Sequence, residues 1–163
     1  MFLLLIGLLA ASLTFTAPPE WKPVVVSSSM RVAQWALPRA AGDTQDGELV
    51  VYYFGGQGGS LEANIERWVG QIKQPDGRPS TVKRDSRTIN ELKVTLVDLS
   101  GTYVAEMSPG SGQLHNSPDF RMRAGYIETS NGPYFIKLVG PAKTIAANEK
   151  SFETFLTSVK FTK

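Results

Sequence analysis

The sequence predicts an α+β domain: a single antiparallel sheet of about six strands packed by two main helices, in the order ββαββββα. Three observations carry that prediction. Apolar residues recur at helical spacing in only two stretches, residues 60–72 and 141–160. Between them lie runs rich in β-branched and aromatic residues, bounded by glycine, proline and asparagine as strands and turns are. Finally, two such runs flank Ser130-Asn131-Gly132, a hairpin signal.

Composition sets ordinary bounds. With 163 residues, 42% hydrophobic and 20% charged, the chain suits one globular domain rather than a disordered segment. A domain of this length buries roughly 70% of its unfolded surface, enough for a core without metal or disulfide staples. The sequence contains no cysteine, which excludes disulfide scaffolds, thiolate zinc sites, iron–sulfur clusters and cysteine nucleophiles. A net charge of +2 is too weak to imply a nucleic-acid partner. The densest basic stretch, residues 73–93, sets Lys73, Arg78, Lys83, Arg84, Arg87 and Lys93 against three acids with no aromatic stacking platform.

Taken in order, the chain opens on an apolar run, MFLLLIGLLAASL, at residues 1–13. It falls short of the roughly 20 residues a membrane span needs. Its length and small-residue end suit the core of a secretory signal, although no lysine or arginine precedes it. Cleavage sites are offered at Ala10-Ala11-Ser12 or around Ala17, and with no cysteine a lipoprotein anchor is excluded. We expect a signal peptide or N-terminal apolar segment over residues 1–17, a linker over 18–23 and a single α+β domain over 24–163. The expected location is exported, periplasmic or secreted, with membrane contact only through an uncleaved N-terminal segment. Within the proline-rich TAPPEWKP, Trp21 can act as a lid or, more simply, fasten the entering terminus.

Residues 24–37 read as the first strand, with neither face clearly polar, and residues 38–47 as a turn-rich connection. Residues 48–54 form a continuous apolar strand, which predicts cover on both faces. A glycine cluster then breaks the chain, and Ser60 is placed to cap a helix. Leu61, Ile65, Trp68, Val69 and Ile72 make that helix's apolar stripe. Gln74-Pro75-Asp76-Gly77 is a turn, and residues 81–89 are polar enough for an edge strand. After a turn at Asn90-Glu91, residues 92–104 carry Leu92, Val94 and Leu96 in one phase and Val97, Leu99 and Tyr103 in the other. A bulge or bend near Val97 would reconcile them. Residues 107–119 form a long loop holding His115.

Residues 120–129 and 134–140 read as a hairpin. A three-residue loop over 130–132 pairs Tyr126 with Ile136 and Ala124 with Leu138, with Gly132 in a bulge. Pro141 opens a last helix with Ile145, Phe152, Phe155, Leu156 and Val159 on its apolar stripe and Lys160 at its negative end.

The early strand MRVAQWALP, the strand ELVVYYF leading into a helix, the hairpin GYIETSNGPYFIKLVG and the ending SFETFLTSVKF together resemble the PsbP-like fold. The segment MRVAQWALPRAAGDTQDGELVVYYFGGQGGSLEANIERWVGQ is, more closely, similar to a family of uncharacterised exported bacterial proteins. The resemblance implies an exported PsbP-like sandwich of unassigned activity, in a fold whose members bind proteins or serve as assembly factors and are mostly not enzymes.

Strand, glycine cluster and helix start invite an anion-site reading. The spacing removes the nucleotide versions: no lysine precedes Ser60, and Leu61 holds the third glycine position of a dinucleotide motif. A sharp turn is the favoured role of Gly55, Gly56, Gly58 and Gly59, ahead of a partner or small-ligand contact shared with Gln57, Ser60, Asn64, Arg67 and Trp68. Trp68 filling the core and Arg67 in solvent is the plainer reading of those two. His115 is the sole histidine and no Gly-x-Ser-x-Gly elbow exists, so no catalytic residue is assigned. Asp98, Glu106, Asp119 and Glu128 have no paired spacing, so neither metal nor cofactor is expected. The function expected is a non-catalytic exported domain binding a protein partner or small ligand, without nucleic acid. Its contact surfaces would be the turn at residues 55–60 and the loop at 107–119. The alternatives are a hydrolase or transferase with its site at that same turn, and a purely structural or assembly role in the cell envelope.

Overall fold

The computed structural model describes residues 12–26 and 28–163, so most of the apolar run read as a signal, residues 1–11, lies outside the described residues. The fold is mixed α+β and mostly sheet. Eight strands make one antiparallel sheet: β2 (Lys22–Pro23), β3 (Arg31–Leu37), β4 (Gly47–Tyr53), β5 (Ile72–Lys73), β6 (Lys83–Ile89), β7 (Leu92–Tyr103), β8 (Ser117–Ile127) and β9 (Tyr134–Pro141). Their order is β2-β3-β4-β9-β8-β7, and β5 and β6 pair with different stretches of the outer edge of β7. A second, two-stranded sheet joins β1 (Ser12–Thr14) to β10 (Lys160–Thr162). The helices are α1 (Leu61–Val69), α2 (Ala142–Ala147) and α3 (Glu149–Thr157).

The expected single sheet of about six strands with two helices is therefore corrected to two sheets and three helices. The added strands are two or three residues long, too short for any periodicity to reveal. Lys160, expected at a helix end, lies in β10 opposite Thr14. The last helix divides at Asn148, whose Nδ2 donates to the carbonyls of Thr144 (2.8 Å) and Pro38 (3.0 Å), tying the break to the β3–β4 connection. Pro141 ends β9 and caps α2 rather than entering the helix.

The large sheet is covered on both faces, and this resolves the two phases of β7. Leu92, Val94 and Leu96 join Phe152, Phe155 and Leu156 of α3, whereas Val97, Leu99 and Tyr103 join Ile65 and Trp68 of α1. The bulge expected near Val97 does not occur. Pairing with β6 and β8 runs through that residue unbroken, and the irregularity against β8 falls between Gly101 and Tyr103. Two covers remove the need for a phase switch.

The hairpin register also differs from the expectation. Tyr126 pairs with Phe135, and Ala124 with Lys137. The connection spans residues 128–133, with the Gly132 amide donating to the Thr129 carbonyl at 3.1 Å and Gly132 at φ +95°. The expectation placed all apolar residues of the hairpin on one core face. With both faces covered, Ile136 and Leu138 serve the α3 side, Phe135 serves the α1 side, and Lys137 is carried to the α1 side with it.

Other expectations match. Asn90 and Glu91 take positive φ (47° and 67°), as a two-residue hairpin turn requires. The polar, mostly exposed β6 blunts an edge. Trp21 is buried and packs its ring 5.4 Å from that of Phe155. Ahead of it, the Thr16 amide donates to Ser158 Oγ at 2.8 Å, and Leu13, Phe15 and Ala17 pack on the same core.

Charges on the α3 face are paired. Arg121 is bidentate to Asp98 (2.9 and 2.7 Å), and the buried Arg123 lies among Asp98, Glu149 and Glu153 with its guanidinium over the Phe152 ring. On the α1 face Arg84 pairs with Glu62 at 2.9 Å, but Arg31, Arg67 and Lys137 have no such partner among the described residues.

Candidate functional site

The turn singled out from the sequence is a packed corner. Gly55, Gly56, Gly58 and Gly59 all hold positive φ, a region side chains with a Cβ avoid. A Cβ on Gly58 would lie 2.8 Å from two ring carbons of Phe135, and one on Gly132 would lie 2.5 Å from the Cα of Gly56. The corner thus seats against the β8–β9 connection, where Tyr53 also donates its hydroxyl to the Asn131 carbonyl at 2.8 Å. The Gln57 amide closes the turn on the Phe54 carbonyl at 3.1 Å. Ser60 caps α1 as expected, its Oγ accepting from the Ala63 amide at 3.2 Å.

Asn64 is a fastener rather than a pocket wall. It is 2% exposed, and its Nδ2 donates to the carbonyls of Gly58 and Ser60, both at 2.8 Å. Asn64→Ala should cost about 1–3 kcal/mol, because the Gly58 and Ser60 carbonyls lose the side-chain donor that ties the turn to α1, Ser60 keeping only the Asn64 amide at 3.1 Å. Urea unfolding measures this; a loss below about 0.5 kcal/mol would mean the turn holds without it.

Arg67 and Trp68 lie further along α1, beside a cleft the glycines do not line. Its two adjoining lobes, of about 510 and 840 Å³, share Arg31, Tyr52, Arg67, Gln71, Pro109 and Lys137. Strands β3, β4 and β9 supply the floor, α1 one wall, and the loop after β7 the other. Trp68, 2% exposed, belongs mainly to the core, as its plainer reading expected, while Arg67 is exposed at the wall. Met30, Met107 and Leu114 are exposed apolar residues along the borders of the two lobes. The His115 ring leans on Tyr103, with centroids 4.9 Å apart and the planes tilted by 33°.

Lys137 centres this arrangement. Its Nζ donates to Gln71 Oε1 at 2.8 Å and to the Tyr103 hydroxyl at 2.9 Å. Arg31 lies over the Tyr52 ring, 5.6 Å from its centroid, and donates to Gln34 Oε1 at 2.7 Å. Among the described residues no carboxylate forms an ion pair with Arg31, Arg67 or Lys137. Burial chiefly, then the Arg67 and Arg31 charges, pulls the Lys137 ammonium down to about 8 against the opposing pull of Glu48. Burial likewise pushes Tyr103 up to about 12, which keeps its hydroxyl neutral.

A stability signature follows. Unfolded, Lys137 returns to its ordinary 10.5, so between about 8 and 10 the unfolded chain binds more protons and stability rises with pH. Above 10 Tyr103 acts oppositely, since its proton is held more tightly in the folded chain. Urea unfolding at pH 7, 8, 9 and 10 should therefore show a rise that Lys137→Met flattens. An unchanged rise in that variant would place its source elsewhere.

Lys137, Arg31, Tyr52 and Tyr103 were not singled out from the sequence as site residues. The one available signal was a lysine inside the apolar strand YFIKLVG, where a charge needs a polar setting. Among the described residues no group of three His, Asp or Glu side chains gathers as a metal site would require, and no helix is long and apolar enough to cross a membrane.

No protein-family model and no curated protein matches the sequence. Solved structures share its fold. One is PA94 from Pseudomonas aeruginosa, a protein of unknown function, with a TM-score of 0.53 at 13% identity over 85% of this chain and 95% of that one. Another is the cyanobacterial PsbP (CyanoP) of Synechocystis sp. PCC 6803, with a TM-score of 0.52 at 12% identity over 96% of each chain. At such identities the likeness is one of fold, the PsbP-like α+β arrangement.

Proposed function

We propose that this chain, an α+β domain with a PsbP-like fold, is an exported non-catalytic binding domain that takes a small ligand into the cleft between α1 and the loop after β7. The observation that carries the reading is the cleft itself, with lobes of about 510 and 840 Å³. Ligand pockets of roughly 300–1,000 Å³ with an apolar lining and a few convergent polar groups are the usual form. Here Tyr52, Phe54 and Phe135 supply the apolar part, and Arg31, Gln71 and Lys137 the polar part. Export rests on the apolar run at residues 1–13 and on the resemblance to exported bacterial proteins.

What supports a non-catalytic role is the setting of the glycine corner. Its close neighbours are Phe54, Phe135, Asn64 and the Asn131–Gly132 backbone, with the Tyr126 hydroxyl donating to the Gly59 carbonyl at 3.4 Å, rather than a converging acid–base pair. A protein segment entering the same cleft is the second reading, favoured by the exposed Met30, Met107 and Leu114 at its borders.

A fragment screen by protein-observed NMR tests the proposal. Shifts should cluster on Gln71, Tyr103 and Lys137; binding confined to other surfaces, or none, would overturn it. Cell fractionation with mass measurement tests export, which a wholly cytosolic chain would refute.

A further inference from the structure

We infer that the ligand of this cleft is a small organic monocarboxylate with a flat apolar body, its carboxylate held among Arg31, Arg67 and Lys137. The inference rests on the cleft-binding reading above and goes further by naming the charge and shape of the occupant.

The first argument is the contrast between the two faces of one sheet. On the α3 face Arg121 and Arg123 stand among Asp98, Glu149 and Glu153 within ion-pair distance. On the α1 face Arg31, Arg67 and Lys137 border one cavity with no such partner among the described residues. Converging cations repel each other and are desolvated at the floor, so they lower stability unless an anion joins them. Their own contacts leave capacity for one. Arg31 spends one guanidinium nitrogen on Gln34, and the amide of Gln71 and the hydroxyl of Tyr103 accept from Lys137 without neutralising it.

The second argument is the charge balance, which selects among anions. The carboxylates of Glu48 and Glu106 also border the larger lobe. Glu48 acts on Lys137 from the neighbouring floor strand, two residues from Val50, the cross-strand partner of Lys137, whereas Glu106 is engaged with the Gly110 amide at 3.0 Å. Three cations against two carboxylates leave a single positive charge, which suits a monoanion and leaves a phosphate dianion undercompensated. Planar guanidinium forks suit a carboxylate as well.

The third argument is shape. Tyr52 and Phe54 lie parallel, their centroids 5.9 Å apart at 9°, and both reach the smaller lobe beside Phe135 and the exposed Met30. An aromatic or otherwise flat body can lie along these rings while its carboxylate faces the cations.

The test is calorimetric titration of the full chain with benzoate and indole-3-acetate, beside benzamide, indole-3-acetamide and inorganic phosphate. We expect the carboxylates to bind at least about tenfold more tightly than their amides, and phosphate no better than the amides. Arg31→Gln with Arg67→Gln should lower carboxylate affinity by about a further tenfold or more, with the melting temperature held or raised. Carboxylate affinity should also fall as pH rises through about 8, where Lys137 discharges. The groups facing Lys137 are Arg67 from α1, Gln71 after it, Arg31 from β3, Glu48 and Tyr52 from β4 and Tyr103 from β7, with Glu106 and His115 on the facing loop.

Equal binding of the amides at the cleft would overturn the anion inference while leaving the cleft-binding reading intact. Phosphate binding more tightly than the carboxylates would overturn the monocarboxylate. Affinity unchanged in the double variant would place the anion elsewhere, and no binding of any carboxylate would reject the inference.

Discussion

Phe155→Ala should lower the free energy of unfolding by about 3–5 kcal/mol, the loss typical of a buried phenylalanine whose space cannot collapse. The ring is fully buried and meets Phe15 and Trp21 at 5.4 Å each and Trp35 at 5.5 Å. These partners come from the N-terminal segment and from β3, so one side chain of α3 joins three parts of the chain that are distant in sequence. None of the large rings around it can swing in without leaving its own place, and a cavity remains. The melting temperature should fall by roughly 10 °C, and Phe155→Leu should recover most of the loss. A loss below about 1.5 kcal/mol would show that residues 15–21 do not dock on this core in solution.

The second large effect lies in the glycine corner, where two substitutions should separate. Gly58 sits at φ +113°, and a Cβ there meets Phe135 at 2.8 Å and Phe54 at 2.9 Å. Phe135 is almost wholly buried in the α1-side core, so its ring cannot retreat cheaply. Gly58→Ala should cost about 2–5 kcal/mol from backbone strain and overpacking together. Gly55 also has positive φ, +65°, but a Cβ there meets nothing within 4 Å. Gly55→Ala should cost only about 1 kcal/mol, the left-handed penalty alone. Urea unfolding of both variants decides the matter. Equal losses would mean the rings yield, and that the corner is a turn without close packing behind it.

Much of the local structure was legible. The strand entering the glycines, the Ser60 cap, the Trp68 stripe, the Asn90-Glu91 turn and the polar edge at β6 each depend on residues near one another in the chain. Short-range chemistry dictates them, through caps, positive φ and periodicity. The strands β1, β2, β5 and β10 were not legible, because two or three residues carry no period and gain their partners only from remote segments. The break at Asn148 escaped for a related reason. Its side chain reaches the Pro38 carbonyl, a partner 110 positions away.

The candidate site shows the same division. Arg67 and Trp68 follow the glycines on one helix and were named from spacing, whereas Arg31, Tyr103 and Lys137 arrive from three different strands. Residue types and local turns could be read along the chain: an α+β pattern, glycines where φ must be positive, a capped amphipathic helix and one lysine within an apolar strand. Long-range packing set the rest, namely that both sheet faces are covered and which face that lysine takes. The pleat explains why. Side chains alternate with a period of two, so one step of register between β8 and β9 exchanges the faces of every residue and moves Lys137 from one core to the other.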